Sequence, residues 1–169
     1  PEQAVFQNWK KQAHISSIAY ARYFIPDYIQ EDTVLYLDCD LLINDKLDNL
    51  FEQDIEERYI AAIRDANGQG FNTGVLLINN EKWRQEKLRE RLIEQSILTT
   101  KEVEEGRFEH FNGDQTIFNQ VLKDDWLELD RAYNLQVGYD VVALYNNWQE
   151  HLAFNDKPVV IHFTTYRKP

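Results

Sequence analysis

Two aspartates separated by one residue follow an apolar run and could hold a metal ion. Asp38 and Asp40 come directly after residues 34–37, which are Val, Leu, Tyr and Leu. In a strand, residues two apart project from the same face, so both carboxylates could reach one cation. The pair therefore indicates metal-assisted chemistry on an oxygen-rich, phosphorylated ligand. For the two residues alone, a solvated turn or a helix cap is an equally good interpretation.

A histidine and a lysine near the end of the chain could complete that site. His162 follows the apolar run 159–161 and would add a nitrogen to the two carboxylates, which makes a ligand set suited to Mn²⁺. Lys168 comes shortly afterwards and could reach a diphosphate bound to the same ion. Each residue has an ordinary alternative. A lone histidine on an apolar strand is more often structural, and a lysine near a chain end is more often a surface residue.

The apolar pattern predicts the elements that position these residues. Residues 34–37 are expected to form a central parallel strand covered on both faces, with the aspartates at its carboxyl end, where open α/β sheets bind ligands. Alternating strands and helices predict an α/β protein with a mainly parallel sheet. Further strands are predicted at 59–63, 75–78 and 159–163. Helices are predicted at 15–25 (ended by Pro26), at 81–97 and from 112 or 113 to 122, with loops at 67–70 and 99–111.

Length and composition favour one folded domain, residues 1–169, and exclude several classes of function. Hydrophobic residues make up 43% of the chain, which is enough for a sizeable core. A net charge of −11 argues against binding to nucleic acid. No apolar run approaches the roughly 20 residues of a transmembrane segment. The single cysteine, Cys39, favours a reducing compartment, so we expect a cytoplasmic protein, with attachment to the membrane periphery as the alternative.

Five longer sequence blocks occur in order along nearly the whole chain. They are YLDCDLLI at 36–43, FNTGVLLIN at 71–79, KWR at 82–84, DQTIFN at 114–119 and HFTTYRKP at 162–169. Together they resemble glycosyltransferase family 8. The resemblance implies a GT-A (Rossmann-like) fold and retaining transfer of galactose or glucose from a UDP-hexose donor. It also implies Mn²⁺, with Mg²⁺ as the alternative ion, and a saccharide, lipooligosaccharide or glycoprotein acceptor.

The resemblance also implies roles for individual residues. Asp38, Asp40 and His162 match the metal ligands of the family. Asp114 and Gln115 match the pair that lies beneath the transferred sugar. The positions that match donor-contacting residues are Arg22, Asp65, Asn72 and Lys168.

Several of these residues have ordinary interpretations as well. Arg22 could be a charge on the surface of a helix, and Asn72 could be a turn-former before Gly74. Asp114 would interact favourably with the first turn of a helix in either case. Gln115 could simply face solvent.

Retaining transfer can proceed by two routes, and the sequence favours one of them. One route uses a covalent nucleophile, whereas in the other the acceptor attacks from the face that the leaving group departs from. Because an amide is a weak nucleophile, Gln115 favours front-face attack, in which it would support the developing positive charge on the sugar. The leaving phosphate can then accept the proton of the acceptor.

Two of the chain's departures from the family pattern bear on binding of the donor. The first strands and the nucleotide-gripping loop of the family would lie before Pro1, so we expect a partial, N-terminally truncated domain that could itself be inactive. Thr165 stands where many relatives have glycine in the terminal motif, which would change the approach of the backbone to phosphate.

Two other functions compete with the transferase interpretation. One is a non-catalytic or incomplete GT-A module that acts as a binding domain. The other is a phosphatase of the haloacid dehalogenase type, which also has a strand followed by Asp-x-Asp. That motif normally continues with Gly-Thr, whereas this chain continues with Leu41 and Leu42, and the phosphatase leaves His162 and Lys168 unexplained.

Overall fold

The computed structural model describes residues 17–108, 110–137 and 157–164, which form an α/β fold. Its α-helices are α1 (Ile25–Tyr28), α2 (Asn80–Gln85), α3 (Leu88–Glu104) and α4 (Gly113–Leu122), and 3-10 helices span Ser17–Phe24, Asp48–Leu50 and Arg131–Tyr133. Its strands are β1 (Thr33–Leu37), β2 (Leu41–Ile43), β3 (Ile60–Arg64), β4 (Phe71–Asn79), β5 (Leu127–Glu128), β6 (Leu135–Val137) and β7 (Val160–Phe163). The strands form a four-stranded sheet in the order β1-β4-β3-β5 and a three-stranded sheet in the order β2-β7-β6.

Strand β4 is the centre of the four-stranded sheet and is covered on both faces. It pairs with β1 on one side and with β3 on the other. Because side chains alternate along a strand, Leu76 and Ile78 pack into one apolar cluster while Val75 and Leu77 pack into a second. The first cluster contains residues of α2, α3 and α4, and the second contains Val160 of β7. The sheet is therefore held between helices and the smaller sheet.

The mainly parallel pairing expected from the sequence is wrong for the described strands. Three of their five pairings are antiparallel, namely β1–β4, β3–β4 and β2–β7. Residues 65–70 join β3 to β4, and a connection this short can only return the chain as a hairpin. Strand β1 is also not central, because it lies at one end of the sheet order and its residues 34–37 are only half-buried.

The helices differ from the prediction at two places. Pro26 does not end the first helix. It lies at the first helical positions of α1, where the missing N–H costs nothing. The helix expected at 81–97 is divided at Lys87, whose backbone has the left-handed φ of 53°. Its second half, α3, continues to Glu104 through residues expected to form a loop.

None of the helices in the described part of the chain is long and apolar enough to cross a membrane.

Candidate active site

The turn between β1 and β2 brings both aspartates close to His162. Strand β1 ends before Asp38, so Asp38 and Asp40 lie in the turn and not on one face of a strand as their spacing predicted. Strands β2 and β7 pair with Leu41 opposite His162. The backbone N–H of Phe163 donates to the carbonyl of Asp40 at 3.1 Å. Sheet pairing across the chain therefore places the histidine beside the turn.

Asp38, Asp40 and His162, here called the metal triad, have a geometry and chemistry that fit a divalent metal ion. One ligand atom from each side chain lies within 4.8 Å of the others. His162 Nε2 is 3.4 Å from Asp40 Oδ1 and 3.8 Å from Asp38 Oδ2. Groups that are all acceptors repel at such distances unless the imidazole is protonated or a cation lies between them. Two carboxylates and one imidazole are a donor set that suits Mn²⁺.

Two neighbouring side chains hold the carboxylate of Asp38. Its Oδ1 accepts hydrogen bonds from Arg22 Nη2 at 3.1 Å and from the hydroxyl of Tyr36 at 2.7 Å. Its backbone N–H donates to the carbonyl of Gly74 at 2.9 Å, which ties the turn to β4. With Oδ1 held in this way, Oδ2 is the oxygen that faces His162. Sequence reasoning missed Tyr36, although its position two residues before Asp38 was a usable signal.

Arg22 is a buried cation and not a charge on a helix surface. Its side chain is only 5% exposed. Nη1 donates to the carbonyl of Thr73 at 2.7 Å, and the guanidinium lies 4.4 Å from the ring centroid of Tyr36. Nε lies 3.1 Å from Asp114 Oδ2. Arg22 therefore contacts both Asp38 and Asp114, which are far apart in the sequence.

Asp114 is a buried carboxylate with an unusual proton affinity. It lies in the first turn of α4 and is 4% exposed. Burial raises its pKa from the usual 3.8 to about 6, although the guanidinium of Arg22 opposes that shift. Within the described residues its Oδ2 accepts no hydrogen bond, because the nearby Nε–H of Arg22 donates instead to the carbonyl of Ala19. The carboxylate thus has an ion-pair partner and a spare acceptor oxygen.

The raised pKa of Asp114 predicts a specific pH dependence of stability. Between about pH 4 and pH 6 the folded protein holds this proton more strongly than the unfolded chain does, so this residue's contribution to the free energy of unfolding falls as the pH rises. Asp114→Asn should remove that contribution. Urea denaturation of both proteins across this range measures the difference, with the exposed Asp45→Asn as control. An Asp114→Asn protein with the same pH dependence as the wild type would contradict the prediction.

Asp65, Asn72 and Gln115, here called the amide cluster, are brought together by β3, β4 and α4. Gln115 Nε2 donates to Asp65 Oδ2 at 2.6 Å. Gln115 Oε1 accepts from Asn72 Nδ2 at 3.1 Å and from the backbone N–H of Thr73 at 3.3 Å. Gln115 therefore does not simply face solvent. Asn72 lies within β4, and its Oδ1 accepts from the backbone N–H of Gly74 at 2.9 Å.

Gly74 allows the strand to approach the metal triad closely. A Cβ atom at this position would lie 2.1 Å from His162 Cε1 and 2.6 Å from His162 Nδ1. It would also lie 3.0 Å from Asn72 Oδ1. Any larger residue at Gly74 would have to displace the imidazole, so the position of His162 depends on this glycine.

Asn134, which no sequence motif marks, joins the metal triad to the amide cluster. It precedes β6 and is fully buried. Its Oδ1 lies 3.0 Å from His162 Nδ1, and its Nδ2 donates to Asn72 Oδ1 at 2.9 Å.

Residues 165–169 of the terminal motif, which include Thr165 and Lys168, lie outside the described residues. The proposed contact of Lys168 with a diphosphate stays a prediction.

An open cavity of about 320 Å³ has Asp65 among its lining residues. The end of β3, the turn that follows it and the segment 128–131 form its walls. Arg64 and Arg131 are among its lining residues. A cavity of this size is large enough for a small ligand, and it borders the amide cluster through Asp65.

Comparisons with known proteins find several glycosyltransferases that are similar to this chain. Glycosyltransferase GlyD of Streptococcus pneumoniae serotype 4 is 79% identical over 169 residues, which are 100% of this chain and 21% of GlyD. The crystal structure of apo-form glycosyltransferase GlyE from S. pneumoniae TIGR4 is 42% identical, with a TM-score of 0.75 over 94% of this chain and 40% of that chain. The galactosyltransferase LgtC, crystallised with donor and acceptor sugar analogs, is 25% identical, with a TM-score of 0.81 over 99% of this chain and 66% of LgtC.

These likenesses confirm the GT-A type of α/β fold. The chain spans about a fifth of the length of GlyD and two fifths of GlyE. The family model for glycosyl transferase family 8 matches residues 2–169. Since that match covers nearly every residue, the chain belongs to glycosyltransferase family 8.

Proposed function

We propose that this chain forms the metal and sugar part of the donor site of a retaining glycosyltransferase. The enzyme would move galactose or glucose from a UDP-hexose to a saccharide, lipooligosaccharide or glycoprotein acceptor with Mn²⁺. The observation that carries the proposal is the hydrogen-bonded connection between the metal triad and the amide cluster through Asn134. A site that must hold a diphosphate and its sugar together needs a metal-binding part and a polar part in fixed relation.

Within this site the metal triad and the diphosphate would share the ion. Asp38, Asp40 and His162 would hold Mn²⁺, or Mg²⁺ as the alternative, and Lys168 would add a positive charge. The ion would neutralise the charge that develops on the departing nucleoside diphosphate. The hydrogen bonds from Arg22 and Tyr36 to Asp38 Oδ1 would keep Oδ2 directed at the ion.

The amide cluster and Asp114 would hold the transferred sugar. Gln115 Oε1 already accepts two N–H groups, from Asn72 and Thr73, which reduces its capacity to act as a nucleophile. This occupancy favours front-face attack. The acceptor oxygen forms the bond to the anomeric carbon as the bond to phosphate breaks, and the acceptor proton passes to the leaving phosphate. Gln115 and the spare oxygen of Asp114 would then stabilise and position the sugar.

The acceptor is expected to approach from the cavity beside Asp65. The cavity shares Asp65 with the amide cluster, so a saccharide within it would lie next to the donor sugar. Membership of the family, together with the metal triad, removes the support for the phosphatase alternative. A cytoplasmic location, with membrane association at the periphery, would suit the exposed free thiol of Cys39.

A donor screen of the full-length protein tests the proposal. We expect Mn²⁺-dependent release of UDP from UDP-galactose or UDP-glucose, accelerated by a saccharide acceptor, and no release after chelation with EDTA. The product linkage, determined by NMR, should keep the anomeric configuration of the donor. Absence of turnover with every UDP-hexose, together with absence of UDP binding, would support the non-catalytic module instead.

A further inference from the structure

We infer that Asn134 is a positioning residue that fixes the ring orientation and the tautomer of His162 and transmits the position of the amide cluster to the metal triad. This inference rests on the proposed function, because it assigns a purpose to a residue behind the proposed metal ligand. It is carried by a chain of hydrogen bonds whose directions can be deduced one after another.

Two backbone N–H groups, which can only donate, determine the direction of the first hydrogen bonds in this chain. The N–H of Thr73 donates to Gln115 Oε1 at 3.3 Å, and the N–H of Gly74 donates to Asn72 Oδ1 at 2.9 Å. Both amide side chains are thereby oriented, since the atoms that accept must be oxygens. The contact of Gln115 Nε2 with the carboxylate of Asp65 at 2.6 Å agrees with this orientation, because an ionised carboxylate only accepts.

The orientation of Asn72 in turn determines that of Asn134. Asn72 Oδ1 lies 2.9 Å from the Asn134 amide, so the atom that faces it must be the donor Nδ2. Asn134 Oδ1 is then the atom that faces His162 Nδ1 at 3.0 Å. An amide oxygen only accepts, and therefore His162 Nδ1 carries a proton.

This tautomer directs the other ring nitrogen to the metal triad. In the neutral ring, with its proton on Nδ1, the lone pair of Nε2 points toward Asp40 and Asp38, at 3.4 Å and 3.8 Å. Metal-ligating histidines generally donate their second N–H to such a partner, which fixes the ring and raises its basicity. Asn134 supplies that partner here.

Burial of these side chains makes each hydrogen bond of the network difficult to replace. Asn134 is 0% exposed, His162 4% and Asn72 8%, so water has little access to compensate for a lost bond. Strands β6 and β7 pair in parallel with Leu135 opposite Ile161 and Gln136 opposite His162. Asn134, directly before β6, therefore lies close enough to His162 for the side-chain contact at 3.0 Å. The network therefore has one set of hydrogen-bond directions and little room to rearrange.

Calorimetric titration of the full-length protein with Mn²⁺ tests the inference. Asn134→Ala should weaken Mn²⁺ binding by about 10- to 100-fold, the range typical for residues that orient a metal ligand. The matched control is Asn80→Ala. Asn80 is also fully buried, but its Nδ2 donates to the carbonyls of Ile29 and Glu31 and not to the metal triad or the amide cluster. The Asn80→Ala substitution should lower the free energy of unfolding and leave the Mn²⁺ affinity unchanged.

A second variant and a second readout keep the test decisive if Asn134→Ala fails to fold. Asn134→Asp can still accept from His162 Nδ1 but cannot donate to Asn72, so it should retain Mn²⁺ affinity while slowing sugar transfer. In the wild type, ¹⁵N NMR of the His162 imidazole with Mg²⁺ bound should show the proton on Nδ1. A proton on Nε2, or wild-type Mn²⁺ affinity in a folded Asn134→Ala protein, would overturn the inference. Failure of the wild type to bind Mn²⁺ at all would instead contradict the proposed function.

Discussion

Replacing Asp40 with asparagine in the full-length protein should lower Mn²⁺-dependent transfer by about a thousandfold or more. The substitution keeps the size of the side chain but removes one charge from the metal triad, where Asp40 Oδ1 lies 3.4 Å from His162 Nε2. Loss of metal stabilisation of a leaving group costs several kcal/mol, and about 4 kcal/mol corresponds to a thousandfold in rate. The rate of UDP release from the preferred donor measures the effect.

The matched control for this prediction is Asp45→Asn. Asp45 is an exposed aspartate shortly after β2, and it bonds only its neighbouring backbone N–H among the contacts described for its side chain. Its substitution should leave the rate within experimental error of the wild type. Asp38→Ala and His162→Ala should both behave like Asp40→Asn. Retained activity in all three variants would show that the ligand assignment is wrong.

Gln115→Ala should reduce turnover by about 100-fold while it leaves the affinity for UDP nearly unchanged. The amide lies between Asp65 and Asn72, in the part of the site proposed for the sugar, and the metal triad proposed for the diphosphate stays intact. Removing one preorganised polar group that stabilises developing charge typically costs 10²- to 10³-fold in turnover. Steady-state kinetics with calorimetric UDP titration separates the two quantities.

Gln85→Ala controls for the loss of a glutamine side chain. Gln85 is exposed at the end of α2, where it bonds Glu81, and its removal should change neither turnover nor UDP affinity. Equal losses of turnover and UDP affinity in Gln115→Ala would mean that this residue binds the nucleotide and does not act on the sugar.

The sequence predicted the position of most elements but not the way they pair. The apolar runs at 34–37 and 75–78 lie within β1 and β4 as expected. Whether two strands pair in parallel or antiparallel depends on how the connection between them returns the chain. The spacing of apolar residues carries no information about that connection. The long helix α3 was predicted to end too early because Ser96 and Thr99 lie on its buried face. Their hydroxyls are paired there, with the Leu92 carbonyl and with Gln120, so polar residues interrupt the apolar signal of a buried face.

In the site, too, the types of some functional residues could be predicted from the sequence, whereas the positions of their side chains in the fold could not. Asp38, Asp40 and His162 were found because their side chains suit a metal, and the fold places them together. Arg22 looked like an ordinary helix charge, and only the fold shows that it is buried between Asp38 and Asp114. Asn134 had no local signal at all, since its role depends on the pairing of β6 with β7.

Calorimetric titration of the full-length protein with UDP, with Mn²⁺ and then with EDTA, tests the central claim most directly. The claim is that the metal triad holds the ion that binds the donor diphosphate. It predicts UDP binding that requires Mn²⁺ and that is lost in His162→Ala, while Asp45→Asn binds as the wild type does. UDP binding that is equally strong in EDTA, or that persists in His162→Ala, would contradict the claim.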